Sequence, residues 1–179
     1  MSSRILAMSS GLVLAVGLAA GAYWLTGGDA ASEAPAVAGA TAPAPPSGDV
    51  AGEREMVVHM TPTCACCGDW VEHMEEHGFD IEVEYSDDLR DVKMEYGLTP
   101  DLASCHTGII GGYVVEGHVP AEDVIRFVDE EAEATPGALG LAVPGMPIGS
   151  PGMEGAFEED YDVLTFDAEG GTEVFASHP

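Results

Sequence analysis

The chain has 179 residues, enough for one domain of ordinary size, and carries 32 acidic residues against 5 basic ones, of which one is lysine. A net charge of −27 argues against nucleic acid as a partner, because phosphate binding needs a basic patch. So many acids form either an ordinary solvated surface or an adaptation to high salt. The scarcity of lysine favours the halophilic interpretation, since a Debye length of about 3 Å at about 1 M salt screens the self-repulsion.

An apolar stretch lies near the N-terminus. Residues 5–26 are broken only by two serines, and about 20 such residues can cross a bilayer as a helix. Arg4 before the stretch and Tyr23-Trp24 at its end predict a membrane anchor, with the rest of the chain outside the cytoplasm. A cleaved signal peptide is the alternative, with Ala30-Ala31-Ser32 as its cleavage site. We therefore expect a membrane-anchored or secreted protein whose residues 1–26 are the anchor or signal peptide.

Composition divides the remainder into a tether and a folded domain. Residues 27–55 are rich in Ala, Pro and Gly and contain few large apolar side chains, which is typical of a disordered tether. The folded domain is expected at residues 56–179. Its first predicted elements are a strand at 56–60, a helix at 68–77 with Thr63 as N-cap, a strand at 79–85, a helix at 87–96, a hairpin at 107–115 and a helix at 120–131.

This β-α-β-α-β-β-α order places a cysteine-rich segment between the first strand and the first helix, which is the thioredoxin arrangement. Residues 137–155 contain two Pro-Gly-Met copies and are too rich in Gly and Pro for helix or strand. A hairpin at 161–166 and 172–175 completes the chain. The predicted fold class is α/β: a thioredoxin-like domain with a C-terminal Gly/Pro/Met loop and β-hairpin, preceded by a transmembrane anchor and tether.

Cysteine spacing is the strongest functional signal. Cys64, Cys66 and Cys67 lie within four residues, and Cys105 follows much later. A helix N-terminus favours thiolates, which are both redox nucleophiles and soft-metal ligands. A disulfide oxidoreductase needs two cysteines and a third would scramble the pair, whereas a polynuclear Cu(I) site uses extra thiolates as bridges. We favour Cu(I) binding over thiol–disulfide exchange by Cys64 and Cys67 with Cys105 as resolving thiol.

Zinc is the rival metal, because four cysteines make a zinc site. Structural zinc sites generally pair two well-spaced cysteine knuckles, and one tight triple plus a distant cysteine fits that pattern poorly. A zinc-stabilised interaction module is therefore a third hypothesis. Copper is also favoured by Met146 and Met153, whose thioethers select Cu(I). The alternative role for these two methionines is gap-filling in a core.

Four histidines are weaker candidates. His106 adjoins Cys105 and is a candidate ligand or second-sphere residue. His118 precedes a predicted helix, where metal binding and core hydrogen bonding are equally expected. His73 and His77 are four residues apart on one helical face, but the acidic residues around them favour a solvated face.

Four ordered segments resemble the CopG-type copper-resistance proteins, a bacterial and archaeal family of extracytoplasmic metal-binding proteins. The segments are CACC at 64–67 with a Trp following, SCHT at 104–107, GYVVEGHVP at 112–120 and GLAVPGMPIGSPGME at 140–154. The resemblance runs from about residue 56 to the end of the chain. It implies a thioredoxin-like fold, a copper site gathering the four cysteines, and a role in copper tolerance for which interconversion of Cu(I) and Cu(II) is also considered.

Carried over to this chain, the resemblance makes the four cysteines the ligand core and leaves the other soft donors as weaker candidates. The partners it implies are copper ions and copper donor, acceptor or redox proteins outside the cytoplasm. The expected metal ligands are Cys64, Cys66, Cys67 and Cys105, then His106, Met146, Met153 and His118.

Overall fold

The computed structural model describes residues 54–179. The predicted anchor or signal peptide at 1–26 and nearly all of the predicted tether at 27–55 lie outside the described residues. Among the helices of residues 54–179, none combines the length and apolarity needed to span a bilayer.

The described part of the chain has a mixed α/β fold. The predicted order of strands and helices is confirmed up to the third helix, and so are both hairpins. The elements are β1 Glu55–Met60, α1 Ala65–Glu76, β2 Asp80–Tyr85, α2 Arg90–Glu95, β3 His106–Ile110, β4 Tyr113–Glu116, α3 Ala121–Arg126 continued by a π-helical turn Phe127–Glu131, β5 Ala138–Ala142, β6 Tyr161–Asp167 and β7 Thr172–His178.

Seven strands form one sheet in the order β2-β1-β3-β4-β5-β6-β7. β1 runs parallel to β2 and antiparallel to β3, and β3 and β4 form a hairpin. Met60, the last residue of β1, lies opposite His106, the first residue of β3. This register brings the segment that follows β1 next to the segment that precedes β3.

Helix α1 covers the sheet with one apolar face. Its buried residues are spaced as expected for a single stripe of a 3.6-residue period: Cys67, Trp70, Val71 and Met74. The indole N–H of Trp70 donates a hydrogen bond to the backbone oxygen of Val119 at 2.9 Å. The helix is thereby fixed both to the sheet and to the segment that leads into α3.

Two predicted helix starts are wrong. Cys64 is the N-cap of α1, not Thr63, and the helix begins at Ala65 rather than at Gly68. A turn bonding the Cys64 N–H to the Thr61 oxygen leaves Thr63 outside the helix. Helix α2 begins at Arg90, not at 87, because Asp88 Oδ1 accepts the Arg90 N–H and holds the preceding residues in a turn.

The prediction that residues 137–155 contain no strand is wrong for the first part of that segment. β5, Ala138–Ala142, lies between β4 and β6. A Cβ atom at Gly140 would collide with the backbone oxygen of Val114, so the absence of a side chain permits the close approach of β4. The register shifts between Ala138 and Gly140. Tertiary packing therefore overrides the low strand propensity of this sequence.

Candidate metal centre

Two segments that are distant in sequence bring the four cysteines together. Cys64 caps α1, Cys66 and Cys67 lie in its first turn, and Cys105 immediately precedes β3. Their four Sγ atoms all lie within 4.8 Å of one another. The antiparallel pairing of β1 with β3 explains this convergence. It places the end of β1, which leads to Cys64, beside the start of β3, which follows Cys105. We call these four side chains the sulfur cluster.

The sulfur cluster contains one disulfide, between Cys64 and Cys67. Cys66 and Cys105 are free thiols, and the Cys66 Sγ lies 3.5 Å from the Cys64 Sγ. The Cys67 Sγ lies 3.8 Å from the backbone oxygen of Cys105. A site with four thiolates therefore requires prior two-electron reduction of the Cys64–Cys67 bond and loss of the Cys66 and Cys105 thiol protons.

Two imidazoles adjoin Cys105. His118 Nδ1 lies 2.8 Å from the Pro151 oxygen and donates to it, so its Nε2 carries the lone pair and faces Cys105 Sγ at 3.0 Å. His106 Nδ1 lies 3.3 Å from the same sulfur. The ring of His106 also packs against Trp70, with centroids 4.3 Å apart. Cys105, His106 and His118 form a second possible ligand set that shares one sulfur with the first.

His106 has an unpaired nitrogen. The side chain is fully buried, and its Nε2 has no hydrogen-bond partner among the described residues. Buried polar atoms are nearly always paired, and this one is the ring nitrogen opposite the Nδ1 that faces Cys105 Sγ. A metal ion at Cys105 would therefore meet Nδ1 of this ring, not the unpaired nitrogen.

Burial determines the protonation of these groups in the metal-free protein. Burial lowers the pKa of His106 well below 6.5, and the pKa of His118 also falls, chiefly through burial. Burial, and after it the negative charge of a Cys66 thiolate, raise the pKa of the Cys105 thiol to about 12. Both imidazoles are thus neutral at pH 7, as ligands must be, whereas a metal ion at Cys105 has to displace a proton.

A buried ion pair supports the segment around Cys105. Glu116 is fully buried and pairs with Lys93, whose side chain is 15% exposed. The Ser104 N–H donates to Glu116 Oε1 at 2.6 Å, and the Thr107 hydroxyl donates to Oε2 at 2.7 Å. The carboxylate thus holds a residue on each side of the Cys105-His106 dipeptide. Neither Glu116 nor Lys93 was identified from the sequence as part of this site. The presence of only one lysine in the chain could have pointed to Lys93.

Both Pro-Gly-Met copies adjoin the sulfur cluster, one on each cysteine segment. In the first copy, the Gly145 oxygen accepts a hydrogen bond from the Ser104 hydroxyl, next to Cys105. In the second, a Cβ at Gly152 would lie 2.7 Å from the Cys66 oxygen, and its φ of +79° also requires glycine. Met146 is 51% exposed and Met153 is half-buried, so neither is a fully buried core residue.

Similarity to known proteins agrees with this site. Residues 102–153 match a family described as protein of unknown function, DUF411. No curated protein matches the chain. Two solved structures, named copper resistance protein CopG, forms 2 and 1, are each 40% identical with a TM-score of 0.64. They cover 70% of this chain, which in turn covers 98% and 97% of theirs. The chain belongs to the family of the copper resistance protein CopG.

Proposed function

We propose that this protein binds Cu(I) through its sulfur cluster and contributes to copper tolerance. The expected ligand core is Cys64, Cys66, Cys67 and Cys105, with His118 and His106 beside it and the methionines of the two Pro-Gly-Met copies at its rim. Four sulfurs exceed what one Cu(I) ion requires, so bridging thiolates and more than one ion are expected. The observation that carries the proposal is the approach of all four Sγ atoms to within 4.8 Å in a soft donor set.

A second candidate function is supported by the Cys64–Cys67 disulfide. A C-x-x-C disulfide at a helix N-terminus is what a thiol–disulfide oxidoreductase uses. The same two sulfurs also connect copper to redox chemistry: two Cu(II) ions and two thiolates give two Cu(I) ions and one disulfide. We rank copper binding first, because disulfide exchange gives no role to Cys66.

We further propose that the fold is thioredoxin-like and that the domain lies outside the cytoplasm. The first proposal rests on the order β2-β1-β3-β4, with β1 parallel to β2 and antiparallel to β3, and on cysteines at the start of α1. The second rests on the apolar sequence at residues 5–26, which would anchor the protein to the membrane or direct its secretion. Copper donor and acceptor proteins would then be extracytoplasmic.

The test is anaerobic Cu(I) titration of the reduced protein and its Cys66→Ser variant. The unaltered protein should bind more than one Cu(I) per chain and prefer it to Zn(II), and Cys66→Ser should lose part of that copper. Ala65→Ser is the matched control, because it adds the same hydroxyl on an exposed neighbouring position and removes no thiol. It should bind as the unaltered protein does.

Two results would contradict copper binding. Unchanged copper stoichiometry in Cys66→Ser, together with loss of disulfide reduction in Cys64→Ser or Cys67→Ser, would favour the oxidoreductase. Uptake of a single zinc ion and no copper would favour a zinc-stabilised module.

A further inference from the structure

A second group of metal-binding side chains lies at the other end of α1. His73 and His77 are one helical turn apart, and Glu122 reaches them from the first turn of α3. One donor atom from each side chain lies within 4.8 Å of the other two. The two imidazole centroids are 4.4 Å apart, and His77 Nε2 is 3.1 Å from Glu122 Oε1. Packing of α3 against α1 therefore supplies a third donor that the helical spacing alone does not.

Hydrogen bonding aims His77 at Glu122. His77 Nδ1 donates to the backbone oxygen of His73 at 2.7 Å, and its Nε2 points at the Glu122 carboxylate, to which the protonated ring donates at 3.1 Å. A metal ion at Nε2 takes the place of that proton. Metal-binding histidines are commonly fixed by this kind of N–H to carbonyl bond. A hydrogen bond to its own backbone N–H lowers the pKa of Glu122, which is therefore ionised at neutral pH.

His73 is also oriented, but by a competing bond. Its Nε2 accepts the Ala121 N–H at 3.1 Å, which caps the first turn of α3. A metal ion at this nitrogen has to displace that bond. The pKa of His73 is lowered, chiefly by burial and then by the neighbouring His77. The carboxylates of Glu122, Glu154 and Glu76 act in the opposite direction and favour a cation. The C-terminal end of the α1 dipole contributes in the same direction.

We propose that His73, His77 and Glu122 form a second metal site, separate from the sulfur cluster, that binds Cu(II). Two imidazoles and a carboxylate suit borderline divalent ions, and Cu(II) binds most tightly in the first-row series. Cu(I) prefers the sulfurs instead. His73 lies six residues after Cys67, about 9 Å along the helix axis. This proposal goes beyond Cu(I) binding by the sulfur cluster and does not depend on it.

The experiment removes sulfur chemistry first. The full chain is kept oxidised at Cys64–Cys67, and the Cys66 and Cys105 thiols are blocked with iodoacetamide, so that no thiol binds or reduces Cu(II). A second sample carries Cys66→Ser and Cys105→Ser in place of alkylation. Both are titrated with Cu(II) against a competing chelator and followed by electron paramagnetic resonance. One Cu(II) with two coupled imidazole nitrogens is expected.

Variants then assign the ligands. Loss of a second-sphere partner alone weakens metal sites about 10- to 100-fold, so His77→Gln should weaken Cu(II) binding at least roughly tenfold and leave one coupled nitrogen. Glu122→Gln, on a largely exposed side chain, should also weaken it. His178→Gln is the matched control, because His178 pairs with Asp123 at 2.7 Å without a second histidine. It should change neither affinity nor spectrum.

Three outcomes would overturn the site. They are no Cu(II) binding in either thiol-free sample, an unchanged affinity and spectrum in His77→Gln, and an equal loss in His178→Gln. Circular dichroism of each variant establishes that the fold is retained. Because the thiols are blocked throughout, failure of this site leaves the Cu(I) proposal intact, and failure of the Cu(I) proposal leaves this one intact.

Discussion

The two ends of α1 carry different donor atoms in different surroundings. At the N-terminal end, sulfurs from α1 and the start of β3 meet beside two neutral, buried imidazoles. At the C-terminal end, two histidines meet a carboxylate whose side chain is 69% exposed. The helix dipole favours thiolates at the first end and cations at the second. One helix of 12 residues therefore orders a soft donor set and a borderline one without sharing a ligand.

The difference extends to what supports each end. A fully buried carboxylate holds the residues beside Cys105, whereas the His77–Glu122 pair rests on the surface. Buried and exposed ion pairs respond very differently to the loss of one partner, because only the buried one is left with a charge that water cannot solvate. Loss of a charged partner should therefore cost far more stability at the Cys105 end of α1 than at the His77 end.

The largest effect is expected from Lys93→Met. This change leaves Glu116 buried without its cation, which should lower the free energy of unfolding of the metal-free protein by about 3–5 kcal/mol. Urea denaturation of the reduced protein measures it. Adding Glu116→Gln to Lys93→Met removes the unpaired charge and should restore part of the loss. At the other end of α1, Glu122→Gln should cost less than about 1 kcal/mol.

A Lys93→Met variant as stable as the unaltered protein would contradict this account. It would mean that the Glu116 carboxylate is either protonated or reached by water, and that the buried pair does not distinguish the two ends.

The next effect is a pH dependence of opposite sign at the two ends. The folded pKa of His106 lies well below 6.5, so the unfolded chain binds the proton more tightly and stability falls as the pH drops below that value. The slope is at most about 1.4 kcal/mol per pH unit for this one group. The pKa of His77 is raised, chiefly by its bond to the His73 oxygen, so its contribution is present at low pH and lost as pH rises.

Urea denaturation of the metal-free protein at about pH 5 to pH 7 checks these signs, because this range includes the ordinary histidine pKa of about 6.5. His106→Gln should flatten the loss of stability on the acid side, and His77→Gln should steepen it slightly. A slope unchanged by His106→Gln would mean that the imidazole is solvated when folded.

The smallest stability effect is expected from Met146→Ala combined with Met153→Ala. Truncation of a buried methionine costs about 2–5 kcal/mol, but Met146 is 51% exposed and Met153 is half-buried. The metal-free protein should therefore lose far less than two buried sites would, while Cu(I) affinity of the reduced protein falls. A large stability loss with unchanged affinity would make both methionines packing residues rather than rim ligands of the sulfur cluster.

Local patterns predicted the first four strands of the sheet. The apolar run of β1, the alternation of β2 and the Gly111-Gly112 turn each use short-range information, and each element forms where expected. The predicted start of α1 was wrong because Thr63 has a side chain that commonly caps helices. In the structure Cys64 is the N-cap, with the extended backbone conformation of that position and no capping bond from its side chain. The same displacement puts Cys66 and Cys67 inside the first turn of the helix.

Long-range contacts account for what the sequence did not reveal. β5 forms because Gly140 allows β4 to approach closely. This contact with a distant strand cannot be predicted from the sequence of residues 137–155 alone. The partners of Glu116 come from α2 and from the two sides of Cys105. Glu122 turns two histidines on a polar helical face into a three-donor group only once α3 packs on α1. In each case the deciding neighbour is distant in the chain.

The single lysine has a consequence for labelling the protein. Amine-acylating dyes and cross-linkers react with free side-chain amines, but Lys93 is 15% exposed and its Nζ donates to Glu116 and Thr107. In native protein such reagents have only the chain's terminal amine as a ready target. Acylation of Lys93 requires the ion pair with Glu116 to open first. The rate of acylation therefore measures how often the structure around Cys105 opens locally, without any substitution in the chain.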